Sequence, residues 1–265
     1  MLWLFTFALL AQDPVNSTVT VESSMELETV VKDGKGESTR RLTLNRKEKF
    51  KQTKVDAKTV RIECLASSLQ KSGSDTPIEE KATLLAGQNY VSTRTENGWV
   101  TAEADGGSPP AEGRNLGAWN SLSSLLPASG DPKSGDKWVV ESKDLMAILF
   151  PTSLKEGTGR MDCACESVEG GKAVVTFSGT VSGKGKDESQ GQVILTIKSG
   201  RLTYDLGKKA PAALLMSGSL ESSMDVTDVL RKAGIGKDVG NEEERRKIGE
   251  ISVKSQKLEL ALTFE

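Results

Sequence analysis

Val19-Thr-Val21-Glu-Ser23-Ser-Met25-Glu-Leu27-Glu-Thr29-Val-Val31 repeats with period two. Val19, Val21, Ser23, Met25, Leu27, Thr29 and Val31 share one face, and Thr20, Glu22, Ser24, Glu26 and Glu28 share the other. Successive side chains of a strand point to opposite faces, so this pattern predicts a long strand with a core on one side and water on the other. That is the mark of an antiparallel sheet.

The same alternation recurs outward from this stretch. Asp33-Gly-Lys-Gly36 turns the chain, and Arg41 to Val55 brings Leu42 and Leu44 inward. Arg46 and Glu48 then fall in phase with Phe50, which predicts a twisted, bulged or edge strand. Val60, Ile62, Cys64 and Ala66 predict a third strand that ends in a polar loop from Ser72 to Pro77. Asn97-Gly98 suits a two-residue type I′ turn, pairing Thr95 with Val100 and Thr93 with Ala102 and leaving Tyr90, Arg94 and Trp99 on the opposite face. Farther on, Met161, Cys163 and Cys165 are expected to face Ala173, Val175 and Phe177 across a three-residue glycine-bulge loop at Glu169-Gly-Gly171. Val193, Leu195 and Ile197 are expected to meet Leu206, Tyr204 and Leu202 across a turn at Ser199-Gly200, and Leu214 to Val226 and Ile251 to Phe264 close the chain as strands.

The alternation is interrupted once in the middle. In Leu116-Gly-Ala-Trp119-Asn-Ser-Leu122-Ser-Ser-Leu125-Leu126-Pro127 the large apolar residues fall at helical spacing until the proline, and a glycine- and proline-containing loop follows as far as Trp138. Ser142 to Phe150, before Pro151, suits one or two helical turns, and Val226 to Ala233 suits a short helix. The expected fold is mainly β: an antiparallel, strongly curved sheet or half-barrel of about ten strands with one or two short helices on its concave face. Residues 13–265 form a single domain in this reading, with halves 13–115 and 136–265 around a helix over 116–126. Val21-Glu-Ser-Ser-Met-Glu-Leu27 is echoed by Leu220-Glu-Ser-Ser-Met-Asp-Val226, which duplication and convergence explain about equally well.

Composition narrows function mainly by exclusion. Among 265 residues, 35 basic and 37 acidic side chains are interspersed, so no basic patch marks a nucleic-acid or anionic-membrane partner. The apolar run Met1 to Gln12 is too short to span a bilayer and predicts a signal peptide over 1–12, hence a secreted or periplasmic protein without a transmembrane segment in its mature chain. The 3 cysteines, Cys64, Cys163 and Cys165, do not make a disulfide framework and read as small buried side chains. Histidine is absent, which removes His-based triads, His-ligated zinc and the commonest general base. Ser68-Leu-Gln-Lys71 lacks its companion Ser-Asp-Asn motif, and Gly183-Lys-Gly-Lys186 and Gly234-Ile-Gly-Lys237 lack the spacer of a phosphate loop. No catalytic, cofactor-binding or metal-ligating residue is therefore assigned, and the chain is read as not an enzyme.

Met25, Trp119, Leu122, Leu126, Met161, Phe177 and Met224 are the candidates for the lining of an apolar cavity, although residues of these types more often fill a core. Gly135-Asp136-Lys137-Trp138 resembles a strand entry of uncharacterised secreted bacterial β-rich proteins, and the plan of long amphipathic strands around a helical plug is similar to periplasmic lipoprotein-carrier half-barrels. The resemblance implies an extracytoplasmic location and nothing catalytic, and a cavity between sheet and helix would make the chain a non-enzymatic binding protein for an apolar or lipid-like ligand. The alternative is a cell-envelope structural or protein-interaction module without a small-molecule ligand.

Overall fold

The computed structural model describes residues 16–33, 36–73, 76–96, 98–110, 116–141, 154–185, 190–225 and 250–265. The strands are β1 (Asn16–Asp33), β2 (Gly36–Lys54), β3 (Thr59–Gly73), β4 (Thr76–Ala82), β5 (Asn89–Thr95), β6 (Gly98–Glu103), β7 (Lys137–Glu141), β8 (Leu154–Glu169), β9 (Lys172–Gly185), β10 (Gln190–Asp205), β11 (Ala210–Asp225) and β12 (Glu250–Phe264). They form one antiparallel sheet in the order β6-β5-β3-β2-β1-β12-β11-β10-β9-β8-β7, with β4 also paired to β3. It is curved but not closed into a barrel.

This order explains the interruption in the sequence. The chain winds outward from β1 to β6 at one edge, then resumes with β7 at the opposite edge and winds back to β12, which pairs with β1 in the middle. The segment between Glu103 and Lys137 therefore has to travel from one edge of the sheet to the other. Its central stretch, Ala118–Leu125, is the helix expected over 116–126, and it is of the 3-10 type. Leu116, Trp119, Leu122 and Leu125 are spaced three apart, which aligns them on one side of a helix with three residues per turn. All four are buried. The intervening asparagine and serines are weak α-helix formers, so packing decides the geometry.

Several strand expectations need correction. β2 lies between β1 and β3, so the edge alternative fails, but its register against β3 does shift between Lys49 and Phe50, as a bulge requires; its inward charges are accommodated by pairing with each other, as described below. β3 runs to Gly73, and β4 returns along it where a loop was expected. Thr95 pairs with Gly98, Arg94 with Trp99 and Thr93 with Val100, two residues out of the expected register. Because strand faces repeat every two residues, Tyr90, Arg94 and Trp99 still share a face. Glu169 pairs with Lys172, so the β8–β9 loop is Gly170-Gly171 alone, and the irregularity lies between Cys165 and Ser167 instead. Both glycines have positive φ, +56° and +75°, as a two-residue type I′ turn requires.

Ser199-Gly200 is not a turn: β10 continues through it, Ser199 pairing with Ser217 and Gly200 with both Met216 and Phe177. Register shifts recur there and in neighbouring strands, between Ile197 and Gly200 against β9, Gly218 and Leu220 against β12, and Glu26 and Leu27 in β1. Bulges bend the strands that carry them. A row of them across adjacent strands makes a crease, and glycines permit its close contacts: a Cβ on Gly200 would overlap the Phe177 ring, and one on Gly218 the carbonyl of Thr196. The bend brings the inward faces of both halves into one apolar cluster, including Val19, Phe50 and Ile62 from one half and Met161, Leu202 and Leu214 from the other.

The expectations for 1–12, the helical turns at 142–150, the helix at 226–233 and the conformation of Asn97 lie outside the described residues. Residues 21–27 lie on β1 and residues 220–225 on β11, on either side of β12, but Val21 pairs with Leu262 whereas Leu220 pairs with Ser255.

Candidate functional site: the concave face and its plug

The plug is fixed through three tryptophans. Trp119 Nε1 donates to Gln52 Oε1 at 2.6 Å, and Gln52 Nε2 donates to Asn120 Oδ1 at 2.9 Å. Trp99 of β6 donates its indole N–H to Ser121 Oγ at 3.0 Å, and Trp138 of β7 donates to the Leu125 carbonyl at 3.0 Å. One tryptophan thus comes from each edge strand of the sheet, so the helix links the two edges. Phe50 meets Trp119 with ring centroids 5.3 Å apart, and a Cβ on Gly117 would crowd Ser92 and the Trp99 ring. Each indole is an apolar body with one donor, and the donors find partners in this region of the interior.

Residues beneath the plug belong to one buried apolar cluster. Trp119, Leu122, Met161 and Phe177, four of the residues proposed to line a cavity, are between 0% and 5% exposed within the main apolar cluster. Met25 and Leu126 are partly buried and pack against it; the Met224 side chain lies outside the described residues. The structure therefore brings most of the candidates together as packed neighbours.

Farther along β1 and β2 the inward face changes character. Val19 and Val21 pair with Phe50 and Glu48, next comes Ser23 with Arg46, and then Met25 with Leu44 and Leu27 with Leu42. The last four are half-buried, in contrast to the fully buried Val19 and Phe50. Four residues of β2, about 13 Å at ~3.3 Å per residue, separate Arg46 from Leu42. An apolar stripe thus continues on the core side beyond the plugged region.

A charged pair marks the boundary. Arg46 Nη2 lies 2.6 Å from Glu48 Oε1, with side chains 24% and 3% exposed. Ser67 Oγ donates to the same carboxylate oxygen at 2.8 Å and is 2.6 Å from Thr83 Oγ1. Arg46 Nε is buried without a hydrogen-bond partner among the described residues, a cost of about 1–3 kcal/mol for such a group. This polar cluster is what the sequence presented as charges out of place on β2. Gln52, in phase with Phe50, was the available sign of a polar anchor for the plug.

The thiols show no sign of activation. Cys64, Cys163 and Cys165 are free and buried. Burial pushes Cys64 and Cys163 up to about 11, helped by the negative charge of Glu48 and of Asp162 respectively, and pushes Cys165 upward as well, helped by Asp136. A raised thiol pKa reduces the thiolate needed for nucleophilic attack or metal ligation.

No protein-family model matches the chain, and no curated protein sequence matches it. Among solved structures it is similar to one described as an outer membrane lipoprotein-sorting protein domain from Vibrio parahaemolyticus, with 11% identity over 89% of this chain and 84% of that one and a TM-score of 0.17. That superposition is too poor to carry an argument about either fold or function. The class of protein is accordingly defined by its own geometry: an open, curved antiparallel sheet whose edges are linked across the concave side by a short 3-10 plug.

Proposed function

We propose that the protein is a non-enzymatic binding protein acting outside the cytoplasm, and that its concave face shelters an apolar or lipid-like molecule. The observation that carries this reading is the half-buried stripe of Met25, Leu27, Leu42 and Leu44, which continues the core face beyond the fully buried residues near the plug. A sheet that ended its function at its own stability would gain by covering these side chains, since apolar area left in contact with water forgoes about 25 cal/mol per Å². An apolar chain laid along the stripe completes the burial without unfolding anything. The apolar run at 1–12 supports export.

Native mass spectrometry of the protein purified from its own host, together with displacement of an environment-sensitive apolar dye, tests this function. Co-purified lipid and dye binding that is lost in Leu27→Asp and Leu42→Asp variants are expected. Dye binding untouched by both substitutions would remove the stripe as the site. Cleavage near Ala11 or Gln12, read by mass spectrometry of the mature N-terminus, is the expected sign of export; an intact Met1 would contradict it.

A second reading, as a protein-interaction module, draws on Ile78 of β4, Leu84 after it and Val100 of edge strand β6, which are 71%, 77% and 55% exposed. Exposed apolar groups next to an open strand edge favour strand addition by a partner. Co-purification of a protein partner without lipid is the outcome that favours this second reading.

A further inference from the structure

We propose a second binding site, on the outer face of the sheet, that takes an extended, uncharged glycan chain across the strands. Opposite the core, residues of six adjacent strands line a groove of about 680 Å³. One wall is a continuous row of directly paired residues, one from each strand: Ser199, Ser217, Glu259, Ser24, Asn45 and Gln70. Every member carries a hydroxyl, carboxylate or amide, and Asn45 Nδ2 donates to Gln70 Oε1 at 3.3 Å, which orients the amides at one end. The parallel row beside it runs Arg201, Leu215, Ala261, Glu22 and Lys47. Its centre is apolar, with Leu215 56% exposed, and its ends are charged.

The spacing selects the ligand. Neighbouring strands lie about 4.8 Å apart, so the six-membered row repeats a hydrogen-bonding side chain every ~4.8 Å over about 24 Å. An extended peptide advances only ~3.3 Å per residue and shows alternate residues to a given face; it falls out of step with such a ladder. A stretched pyranose chain advances by close to the strand spacing, one sugar to one strand, and offers hydroxyls along its edge with a C–H face for Leu215 and Ala261. The formal charges of the two rows cancel, Lys47 and Arg201 against Glu22 and Glu259, which fits a neutral chain better than a polyanion. A hydrogen-bonding surface in which amides and hydroxyls are already in place also limits the ordering cost of binding.

Calorimetric titration of the full chain with cellohexaose and with the β-1,4-linked N-acetylglucosamine hexamer tests the site. Saturable binding of at least one of them is expected, at least about tenfold tighter than its disaccharide because the ladder spans six strands. Asn45→Ala with Gln70→Ala should weaken it about tenfold, and Ser217→Trp, which fills the groove, should abolish it. These side chains face away from the core, and unchanged thermal unfolding would show that the variants fold. No saturable binding of either hexamer, equal affinity for hexamer and disaccharide, indifference to the substitutions, or tighter binding of an unstructured neutral peptide of matched length would each overturn the proposal. The apolar-ligand reading of the concave face is independent of all of these outcomes.

Discussion

The indole nitrogen of Trp119 donates to the side-chain oxygen of Gln52 at 2.6 Å, across 67 positions of sequence. That bond fastens the plug to β2, which lies between β3 and β1 inside the sheet. Replacing Gln52 by leucine leaves the buried donor of Trp119 and the amide of Asn120 without their partner. We expect a loss of about 1–3 kcal/mol, the usual cost of an orphaned buried group, measured by urea unfolding. Trp119→Phe combined with Gln52→Leu removes both sides of the bond and should recover part of the loss; a double variant weaker than the sum of the single ones would contradict this account.

Gly218 and Gly200 should tolerate no side chain. At Gly218 a methyl group would meet the Thr196 carbonyl, which the sheet holds in place, whereas at Gly200 it would meet the Phe177 ring. Overpacking of this kind costs typically about 1–3 kcal/mol. Gly218→Ala is expected to be the more damaging because backbone cannot turn aside. Phe177→Leu should partly relieve Gly200→Ala and leave Gly218→Ala unchanged, an outcome that a double-mutant cycle in chemical denaturation reads directly.

The Arg46–Glu48 pair should matter for integrity more than for net stability. Arg46→Met removes the guanidinium beside a carboxylate that is 3% exposed, and a loss of about 3 kcal/mol is expected on the scale of broken buried pairs. Arg46→Met with Glu48→Leu replaces both charges by apolar groups and should regain most of that loss. If the double variant proves as unstable as the single one, desolvation of Glu48 is not the cause.

The thiols should be slow at neutral and mildly alkaline pH. With Cys64 and Cys163 raised from 9.0 to about 11, the thiolate fraction at pH 8 falls about 100-fold below that of an ordinary cysteine. Each raised thiol holds its proton more tightly in the folded state than in the unfolded one. Its contribution to stability is complete below pH 9 and is lost as pH rises from 9 to 11. Labelling of native protein is expected to accelerate steeply over that interval, while protein in denaturant labels fast throughout. Rapid stoichiometric labelling of native Cys163 at pH 7 would restore the case for a thiol-based activity.

Much of this fold can be read locally. Period two on β1 assigns Val19, Val21 and Met25 to the core side because a strand has only two faces, and the same rule places Leu214, Leu258, Leu260 and Leu262 inward. Even the misjudged hairpin at Thr95 keeps its faces, since a slip of two residues changes partners but not sides. The plug was visible as an apolar series, and its spacing of three at Leu116, Trp119, Leu122 and Leu125 held the information that it is a 3-10 helix. Glycine was harder to read: Gly170-Gly171 is a turn, whereas Gly200 is a flat spot under an aromatic ring.

The sequence by itself determined that the protein is an antiparallel β-structure with a short helical element in its middle, because side-chain alternation and apolar spacing are local properties of the chain. Only the tertiary structure decided that β1 and β12 pair, that β6 and β7 become opposite edges, and that Arg46, Glu48, Ser67 and Thr83 meet on the inward side. The cross-strand row from Ser199 to Gln70 belongs to the same category. Its members are scattered through the sequence, and no local pattern connects them; their common line exists only because the pairing register sets one strand against the next. The physical reason is that strand pairing joins residues by hydrogen bonds whose pattern is the same for every residue type, so the choice among partners is made by the burial of whole faces rather than by any short stretch of sequence.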